Sequence, residues 1–188
     1  MIILGVDPGS VITGVALLKV SEKVQILSYD VILLNRRNTQ TERLKNIYDS
    51  CTSIIKKYKP EHLAIETAFY GKNIQSTLKL GQASGAAIVA ALNSGLKIYE
   101  YSPREIKKSV TGNGAASKQL VKYFIKSNFR IKEEPKFLDA FDAIAVALCH
   151  YHYLIKMGFG IYNRKSNKRL AKEWSFYIKN NPQKILKS

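Results

Sequence analysis

Four acidic residues stand in sequence contexts where a carboxylate is costly. Asp7 and Glu66 each end a short apolar run, and Asp139 and Asp142 lie three residues apart among apolar neighbours. Burying the end of a strand is favourable, but burying its terminal carboxylate is not, unless the charge meets a cation. A helix would project Asp139 and Asp142 from one face, where like charges repel. The pattern predicts that these acids share a site with a positive partner.

Four carboxylates at one site cannot all ionise without cations, because close like charges raise one another's pKa. Hard divalent ions that take oxygen ligands, Mg²⁺ or Mn²⁺, resolve that conflict. Two such ions can activate a water and stabilise the leaving oxygen of a phosphodiester. No cluster of His and Cys indicates zinc, and no Ser-His-Asp arrangement is apparent in the sequence. Taken alone, Asp139 and Asp142 also suit the first turn of a helix, where acids complement the macrodipole.

These acids need a scaffold that joins distant parts of the chain, and the hydrophobic periodicity predicts an α/β fold. Strands are predicted at Ile2–Val6, Gly14–Val20, Val24–Leu34, His62–Glu66 and Lys97–Tyr101, and helices at Thr41–Tyr58, Asn73–Leu92, from Pro103, at about Ser117–Ser127 and at about Lys136–Met157. The strand–helix–strand order indicates parallel, right-handed crossovers. The predicted sheet is mixed, with five strands in the order 3-2-1-4-5 and helices flanking it. Strands 1 and 4 then meet where the connections reverse direction, which is the usual ligand site of an open sheet.

Length and composition fit one globular domain of 188 residues that is 46% apolar. The apolar start ends at Asp7 and is too short for a signal peptide. The longest nearly apolar stretch, Ala83–Leu92, is too short to span a bilayer, so we expect no membrane association. Cys51 and Cys149 lack metal-type spacing, so we expect reduced thiols and a cytoplasmic location.

The charge balance predicts a polyanionic partner. Thirty Lys and Arg against fourteen Asp and Glu give a net charge of +16. Residues 156–188 hold nine basic residues and one acid, and residues 1–155 hold twenty-one and thirteen, so the excess is spread over the chain. A basic surface of this size favours binding to nucleic acid. A basic surface that serves only solubility remains the alternative.

Several motifs, in order from Met1 to about His152, resemble those of the RuvC family of Holliday-junction resolvases. They are Asp7-Pro-Gly-Ser-x-x-Thr-Gly, Ala64-Ile-Glu66, Phe69, Lys72-Asn73, Leu78-Lys-Leu-Gly-Gln-Ala and Asp139-Ala-Phe-Asp-Ala. The Leu-Gly-Gln-Ala stretch after Phe and Lys-Asn is the specific part, since Asp-Pro-Gly-Ser alone is weak. We therefore predict a nuclease domain over residues 1–158 and a basic C-terminal extension over 159–188.

The resemblance implies an RNase H-like fold and a homodimeric endonuclease of recombination and repair. Such an enzyme nicks four-way DNA junctions symmetrically, with Mg²⁺ as cofactor, Mn²⁺ as a substitute and about two ions per subunit. By position, Asp7, Glu66, Asp139 and Asp142 match the catalytic, metal-binding acids of the family. The resemblance also implies assistance from a branch-migration complex of RuvA and RuvB type proteins.

A second set of residues is predicted to face DNA. Phe69 lies in a polar loop, and an exposed ring there can stack on an unpaired base; the more common fate of phenylalanine is a place in the core. Lys107 and Lys118 match family lysines implicated in DNA binding and cleavage, near carboxylates where an ammonium group can hold phosphates and offset transition-state charge. Lys108 is a further phosphate candidate on charge alone, and Arg104 and Lys72 are additional phosphate candidates.

Two other segments carry predictions. The helix over residues 73–92 is rich in small residues, and its face over residues 81–91 is the candidate dimer interface, with Gly81 and Gly85 one turn apart. The extension over 159–188 is longer than expected for the family. Its charge favours added non-specific DNA affinity, and a solubilising tail is the alternative.

Three rival functions remain from the residues. The Asp-x-Gly-Ser pattern also occurs in ATPases of the actin and sugar-kinase class, but these need a second phosphate loop and a second lobe, which 188 residues do not supply. A non-catalytic DNA-junction binder would explain the charge but has no use for four acids facing phosphates. A related RNase H-like nuclease that acts on RNA would use the same acids.

Overall fold

The protein is represented by a computed structural model, which describes residues 1–67, 73–129, 131 and 137–158. Strands and helices alternate after an initial run of three strands. In chain order, the elements are β1 (Ile2–Asp7), β2 (Ile12–Val20), β3 (Val24–Leu33), α1 (Gln40–Tyr58), β4 (His62–Glu66), α2 (Ile74–Asn93), β5 (Lys97–Tyr101), α3 (Pro103–Thr111), α4 (Lys118–Phe129) and α5 (Asp139–Lys156). Each predicted strand and helix is therefore present, with shifts at the ends only.

The strands form one sheet in the order β3-β2-β1-β4-β5. β1 pairs antiparallel with β2, and β2 with β3, whereas β1 and β4 and then β4 and β5 pair in parallel. The predicted mixed sheet and its strand order are confirmed. The parallel pairing places the carboxyl ends of β1 and β4 side by side.

Helices cover both faces of the sheet, because residues of one strand alternate between two cores. Leu4, Val6, Leu63 and Ile65 pack with α1 and α2 on one face. Ile3 and Ala64 pack with α3, α4 and α5 on the other. The same alternation assigns Asp7 and Glu66 to the α5 face, since Asp7 lies four residues after Ile3 and Glu66 lies two residues after Ala64.

Capping boxes fix the start of two helices. Thr39 and Glu42 form a capping box at α1, and Ser102 and Glu105 form one at α3, where Pro103 occupies the first turn. No side chain caps α5, whose N-cap residue is Leu138. α5 begins at Asp139, which corrects the predicted start near Lys136. Pro135 and the apolar periodicity indicated a helix in this segment but did not determine its first residue.

α5 is the most deeply buried helix of the described part of the chain. Between Ala140 and His150, buried side chains lie on every side of the helix. It crosses the sheet over β1 and β2, with α3 and α4 packed beside it. Among the described residues, no helix is long and apolar enough to cross a membrane. Cys51 and Cys149 are free and buried.

Candidate active site

The turn between β1 and β2 positions Asp7. The buried Thr13 hydroxyl donates to the Gly9 carbonyl oxygen at 3.2 Å and lies 3.3 Å from the Gly9 amide, which donates to it. A Cβ on Gly9 would clash with the Ile12 carbonyl oxygen, so the turn requires glycine. The Asp-Pro-Gly-Ser-x-x-Thr-Gly motif therefore shapes the turn that holds the carboxylate at the end of β1.

Two glycines bring α5 close to the strand that carries Asp7. Gly14 is the register partner of Asp7, and a Cβ on Gly14 would clash with the Asp139 carbonyl oxygen. A Cβ on Gly5 would collide with the Ala143 carbonyl oxygen and would lie 2.7 Å from the Ala147 Cβ. The missing side chains let the first turn of α5, with Asp139 and Asp142, lie over the end of β1.

Glu66 ends β4, and the next residue is tied to the neighbouring strand. Glu66 is the register partner of Tyr101. The Thr67 amide donates to the Tyr101 carbonyl oxygen at 2.9 Å, so the backbone after Glu66 continues along β5. On its other side β4 pairs with β1, where Ile65 is the register partner of Val6, so Glu66 lies beside Asp7 at the end of β1.

The four acids act on one another electrostatically. The pKa of the Asp7 carboxyl is raised to about 8, chiefly by burial and then by the charges of Glu66, Asp142 and Asp139, while Lys118 opposes the rise. Burial also raises the pKa of Glu66, with a further contribution from Asp142. Near neutral pH, Asp7 is therefore largely protonated when no cation other than lysine is near. The site has an excess of negative charge that a further cation would offset.

Lys118 is the positive group nearest these acids in the described structure. Its ammonium lies 2.7 Å from an Asp142 carboxylate oxygen and donates a hydrogen bond to it. Burial lowers the pKa of Lys118, but this hydrogen bond and the charges of Asp142, Asp7 and Glu66 outweigh burial and raise it. Lys118 therefore stays protonated at neutral pH.

The acids suit a hard divalent cation by their chemistry, although they do not form a ready-made cage. Their donors are carboxylate oxygens, which Mg²⁺ and Mn²⁺ prefer, and repulsion from the neighbouring acids adds to the effect of burial on the pKa of Asp7. Within residues 1–67, 73–129, 131 and 137–158, no group of three or more His, Cys, Asp or Glu side chains is arranged to hold a metal ion. The predicted acids thus share one electrostatic site, while Asp142 is turned to Lys118.

The other predicted site residues fall into three groups. Lys107 lies partly buried on α3 near enough to Glu66 to lower the pKa of that carboxyl. Lys108, the next residue, is exposed near the end of α3. Phe69, Lys72 and the extension over 159–188 lie outside the described residues.

The contributions of Gly5 and Tyr101 were not predicted from the sequence. Gly5 interrupts the apolar β1, and a glycine within a strand is a signal of close backbone approach. Tyr101 ends β5 opposite Glu66, and its hydroxyl lies 2.7 Å from the His150 Nδ1 on α5. The sequence offers no local signal for that contact, because 49 positions separate the two residues.

Comparison with known proteins identifies close relatives over the whole chain. The family model described as crossover junction endodeoxyribonuclease RuvC matches residues 3–150. The RuvC of Chloroherpeton thalassium is 46% identical over 188 residues, which cover all of both chains. The RuvC of Tolumonas auensis is 47% identical over 152 residues, which cover 80% of this chain and 87% of the relative. Because the first alignment is complete, the expectation that relatives end soon after the last helix is wrong for C. thalassium.

Solved structures share the fold. The Thermus thermophilus RuvC structure is 30% identical with a TM-score of 0.75, and covers 84% of this chain and 97% of its own. T. thermophilus RuvC in complex with Holliday junction substrate is also 30% identical, with a TM-score of 0.77, and covers 84% and 96%. The matched family model and the full-length relative together show that this chain belongs to the RuvC family of crossover junction endodeoxyribonucleases.

Proposed function

We propose that this protein resolves Holliday junctions in DNA recombination and repair, by symmetric metal-dependent hydrolysis of phosphodiester bonds. The observation that carries the proposal is the meeting of Asp7, Glu66 and the first turn of α5 at one end of the sheet. Family membership supports the substrate, since a relative of 30% identity is described in complex with a Holliday junction. The net charge of +16 supports a DNA partner.

Asp7, Glu66, Asp139 and Asp142 are the residues that would hold Mg²⁺, with about two ions per subunit and Mn²⁺ as a substitute. Bound Mg²⁺ supplies Lewis-acid activation of water and stabilisation of the leaving oxygen. The Asp7 carboxyl must release its proton to become a ligand, because its pKa is raised to about 8. Lys107 and Lys118 hold phosphates and offset negative charge that develops during hydrolysis.

DNA recognition is assigned to the loop after β4 and to the basic surface. We assign Phe69 to stacking on a base near the crossover, and Lys72 and Lys108 to phosphate contacts. We assign residues 159–188 to additional non-specific DNA affinity, because they are strongly basic. The extension aligns throughout with that of C. thalassium, which supports a role shared by both proteins.

The protein is proposed to act as a homodimer, because two equal sites related by a twofold axis suit paired cuts in a near-symmetric junction. The outward face of α2 is the proposed interface. Its large apolar side chains are exposed, and a Cβ on Gly81 or Gly85 would meet nothing within 4 Å; the exposed apolar residues are Ile74, Leu78, Val89 and Leu92. Spacings of three and four residues join these six positions into one stripe.

The interface is narrower than the predicted small-residue face. Ala83, Ala87 and Ala91 are buried against the rest of the same chain, so they are not available to a partner subunit. The proposed interface is therefore the outward stripe defined by Ile74, Leu78, Gly81, Gly85, Val89 and Leu92. Family membership also supports two further proposals. The protein is located in the cytoplasm, and RuvA and RuvB type proteins assist it.

The decisive experiment is cleavage of a synthetic four-way junction by the wild type and Asp7→Asn, with and without Mg²⁺. We expect paired nicks from the wild type only with Mg²⁺, and no cleavage by Asp7→Asn. Junction binding by Asp7→Asn should survive, because basic groups supply most of the affinity. Linear duplex and a structured RNA in parallel reactions test the RNA nuclease, and binding without cleavage would favour a junction binder.

A further inference from the structure

The pair formed by Lys118 and Asp142 has two features that a solvent-facing ion pair lacks. The Asp142 side chain is only 19% exposed, whereas the Lys118 side chain is 74% exposed, so a largely exposed lysine reaches a carboxylate that is mostly buried. Lys118 is also the first residue of α4, where the positive end of the helix disfavours a cation. The lysine is therefore held in place by the acids and not by its own helix.

The charges of Asp7 and Glu66 add to this attraction. Both raise the pKa of Lys118, and Lys118 in turn opposes the rise in the pKa of both carboxyls. One ammonium thus offsets part of the repulsion among the acids. A carboxylate oxygen that accepts a hydrogen bond from an ammonium is not free to bind a divalent ion through the same lone pair.

On the basis of the proposed function, we propose that Lys118 is an internal counter-ion of the acidic site. It neutralises Asp142 in the metal-free protein and competes with divalent metal for that carboxylate. Metal loading then releases the Lys118 ammonium, which becomes available to a DNA phosphate. The exchange couples metal binding to the affinity of the protein for its substrate.

Metal affinity in the absence of DNA tests the competition directly. Mn²⁺ binding is measured by electron paramagnetic resonance of the free ion, using full-length wild type and Lys118→Met. The methionine keeps an unbranched stem and removes the charge. We expect Lys118→Met to bind Mn²⁺ about three- to tenfold more tightly than the wild type, because the competing ammonium is absent.

Two matched variants separate competition from the general field of a positive charge. Lys107 acts on Glu66 through its charge but, unlike Lys118, makes no hydrogen bond to Asp142. We therefore expect Lys107→Met to raise the affinity for Mn²⁺ by less than about twofold. Lys45→Met removes a lysine that is equally exposed and paired with Asp49 on α1, and we expect no change. The proposal is overturned if Lys107→Met and Lys118→Met raise the affinity for Mn²⁺ equally, or if Lys118→Met does not raise it.

Asp7→Asn separates this inference from the function on which it rests. If the wild type binds Mn²⁺ and Asp7→Asn does not, the metal site stands, and the lysine variants alone decide the competition. If Mn²⁺ binding does not depend on Asp7, the proposed metal site is wrong and the inference fails with it. Circular dichroism of each variant checks that the fold is retained.

The release of Lys118 is tested by the salt dependence of junction binding. Fluorescence anisotropy is recorded at several salt concentrations, in EDTA and in Ca²⁺, and a denaturing gel confirms that the junction is uncut. In Ca²⁺ the salt slope of the wild type should exceed that of Lys118→Met by about 0.9, as for one phosphate contact. In EDTA the two slopes should agree. If the salt slopes of the wild type and Lys118→Met differ by the same amount in EDTA and in Ca²⁺, metal binding does not release Lys118.

Discussion

The Asp7 carboxyl combines a fixed position with an unfavourable charge. The Gly9–Thr13 turn holds it at the end of β1, and burial raises its pKa to about 8. In the unfolded chain the Asp7 carboxyl ionises near pH 4. Between pH 4 and pH 8, the unfolded state has therefore released a proton that the folded state keeps. In the metal-free protein, Asp7 therefore costs stability as pH rises from about 4 to about 8.

Replacing Asp7 with Asn should stabilise the metal-free protein at pH 8, by about 1–3 kcal/mol, because the charge that folding disfavours is removed. The gain should be much smaller at pH 5, where the folded wild type keeps its proton. Urea unfolding in EDTA at both pH values measures the difference. A gain that is equal at pH 5 and pH 8 would contradict the assignment of the raised pKa to Asp7.

Phe69 carries a prediction of specificity at the same scale. Phe69→Ala should lower the rate of junction cleavage about tenfold or more, because one stacked base is worth about 1–3 kcal/mol. Binding to linear duplex should change little, since a paired base is not available for stacking. Junction cleavage and duplex binding are measured on the same preparation. An equal loss in both assays would indicate that Phe69 supports the fold.

At the scale of elements, the approach of α5 to the β1–β2 hairpin sets the position of two of the four acids. Gly14 faces the backbone of Asp139, and Gly5 faces Ala143 and Ala147, one turn further along the helix. A methyl group at either position must push the helix away from the sheet. The displacement at Gly14 falls on the turn that carries Asp139 and Asp142.

Gly14→Ala should lower junction cleavage by about a hundredfold or more, because small displacements of catalytic groups are costly. Gly5→Ala is the matched comparison: it inserts the same methyl group against the same helix, one turn further from Asp139. Both variants should lose stability in thermal unfolding, by about 1–3 kcal/mol. Cleavage is compared at a temperature where both are folded, and equal activity of the two variants would contradict the argument.

A buried hydrogen-bonded chain ties α5 to the parallel strands. His150 Nε2 lies 2.8 Å from His62 Nδ1 at the start of β4, and His150 Nδ1 lies 2.7 Å from the Tyr101 hydroxyl at the end of β5. Burial and, to a smaller extent, the neighbouring His62 lower the pKa of His150 to about 4. The chain therefore requires a neutral imidazole.

His150 should make the protein sensitive to acid. Its pKa in the unfolded chain is about 6.5, so as pH falls from 6.5 to 4 the unfolded state gains a proton that the folded state excludes. The stabilisation by neutral His150, on the order of 3 kcal/mol, is present above pH 6.5 and is lost towards pH 4. Urea unfolding of the wild type and His150→Gln should show a stability difference that shrinks over this range. A difference that is constant with pH would contradict the role of His150.

At the scale of the whole molecule, the outward stripe of α2 predicts the oligomeric state. Leu78 is 62% exposed at its centre, next to Gly81 and Gly85. Leu78→Glu should convert the dimer to a monomer at micromolar concentration in analytical ultracentrifugation, because a charge would be buried without a partner. Gly85→Leu, which fills the space where a second backbone would approach, should also weaken the dimer.

Leu33→Glu is the matched control for the dimer, because Leu33 is 57% exposed on β3, away from α2. It should leave the sedimentation coefficient unchanged. A dimer that survives both Leu78→Glu and Gly85→Leu would remove α2 as the interface. Loss of the dimer in Leu33→Glu would move the interface to the edge of the sheet.

The sequence by itself predicted a kind of chemistry and determined the order of the elements. Local periodicity identified each strand and helix, and the strand–helix–strand order fixed the sheet order that places Asp7 beside Glu66. The residue types at Asp7, Glu66, Asp139 and Asp142 indicated hard-metal chemistry. The motifs indicated the family. All of these signals are short-range patterns, which a single sequence displays directly.

Only the tertiary structure decided how these parts meet. It turned Asp142 towards Lys118, seated α5 on Gly5 and Gly14, and joined His150 to Tyr101. It also divided the small residues of α2 between the core and the outward stripe. The physical reason is that each contact joins residues far apart in the chain, so its geometry depends on how whole elements pack. The four acids and Lys118 were all predicted from the sequence, but the ion pair between Lys118 and Asp142 was not.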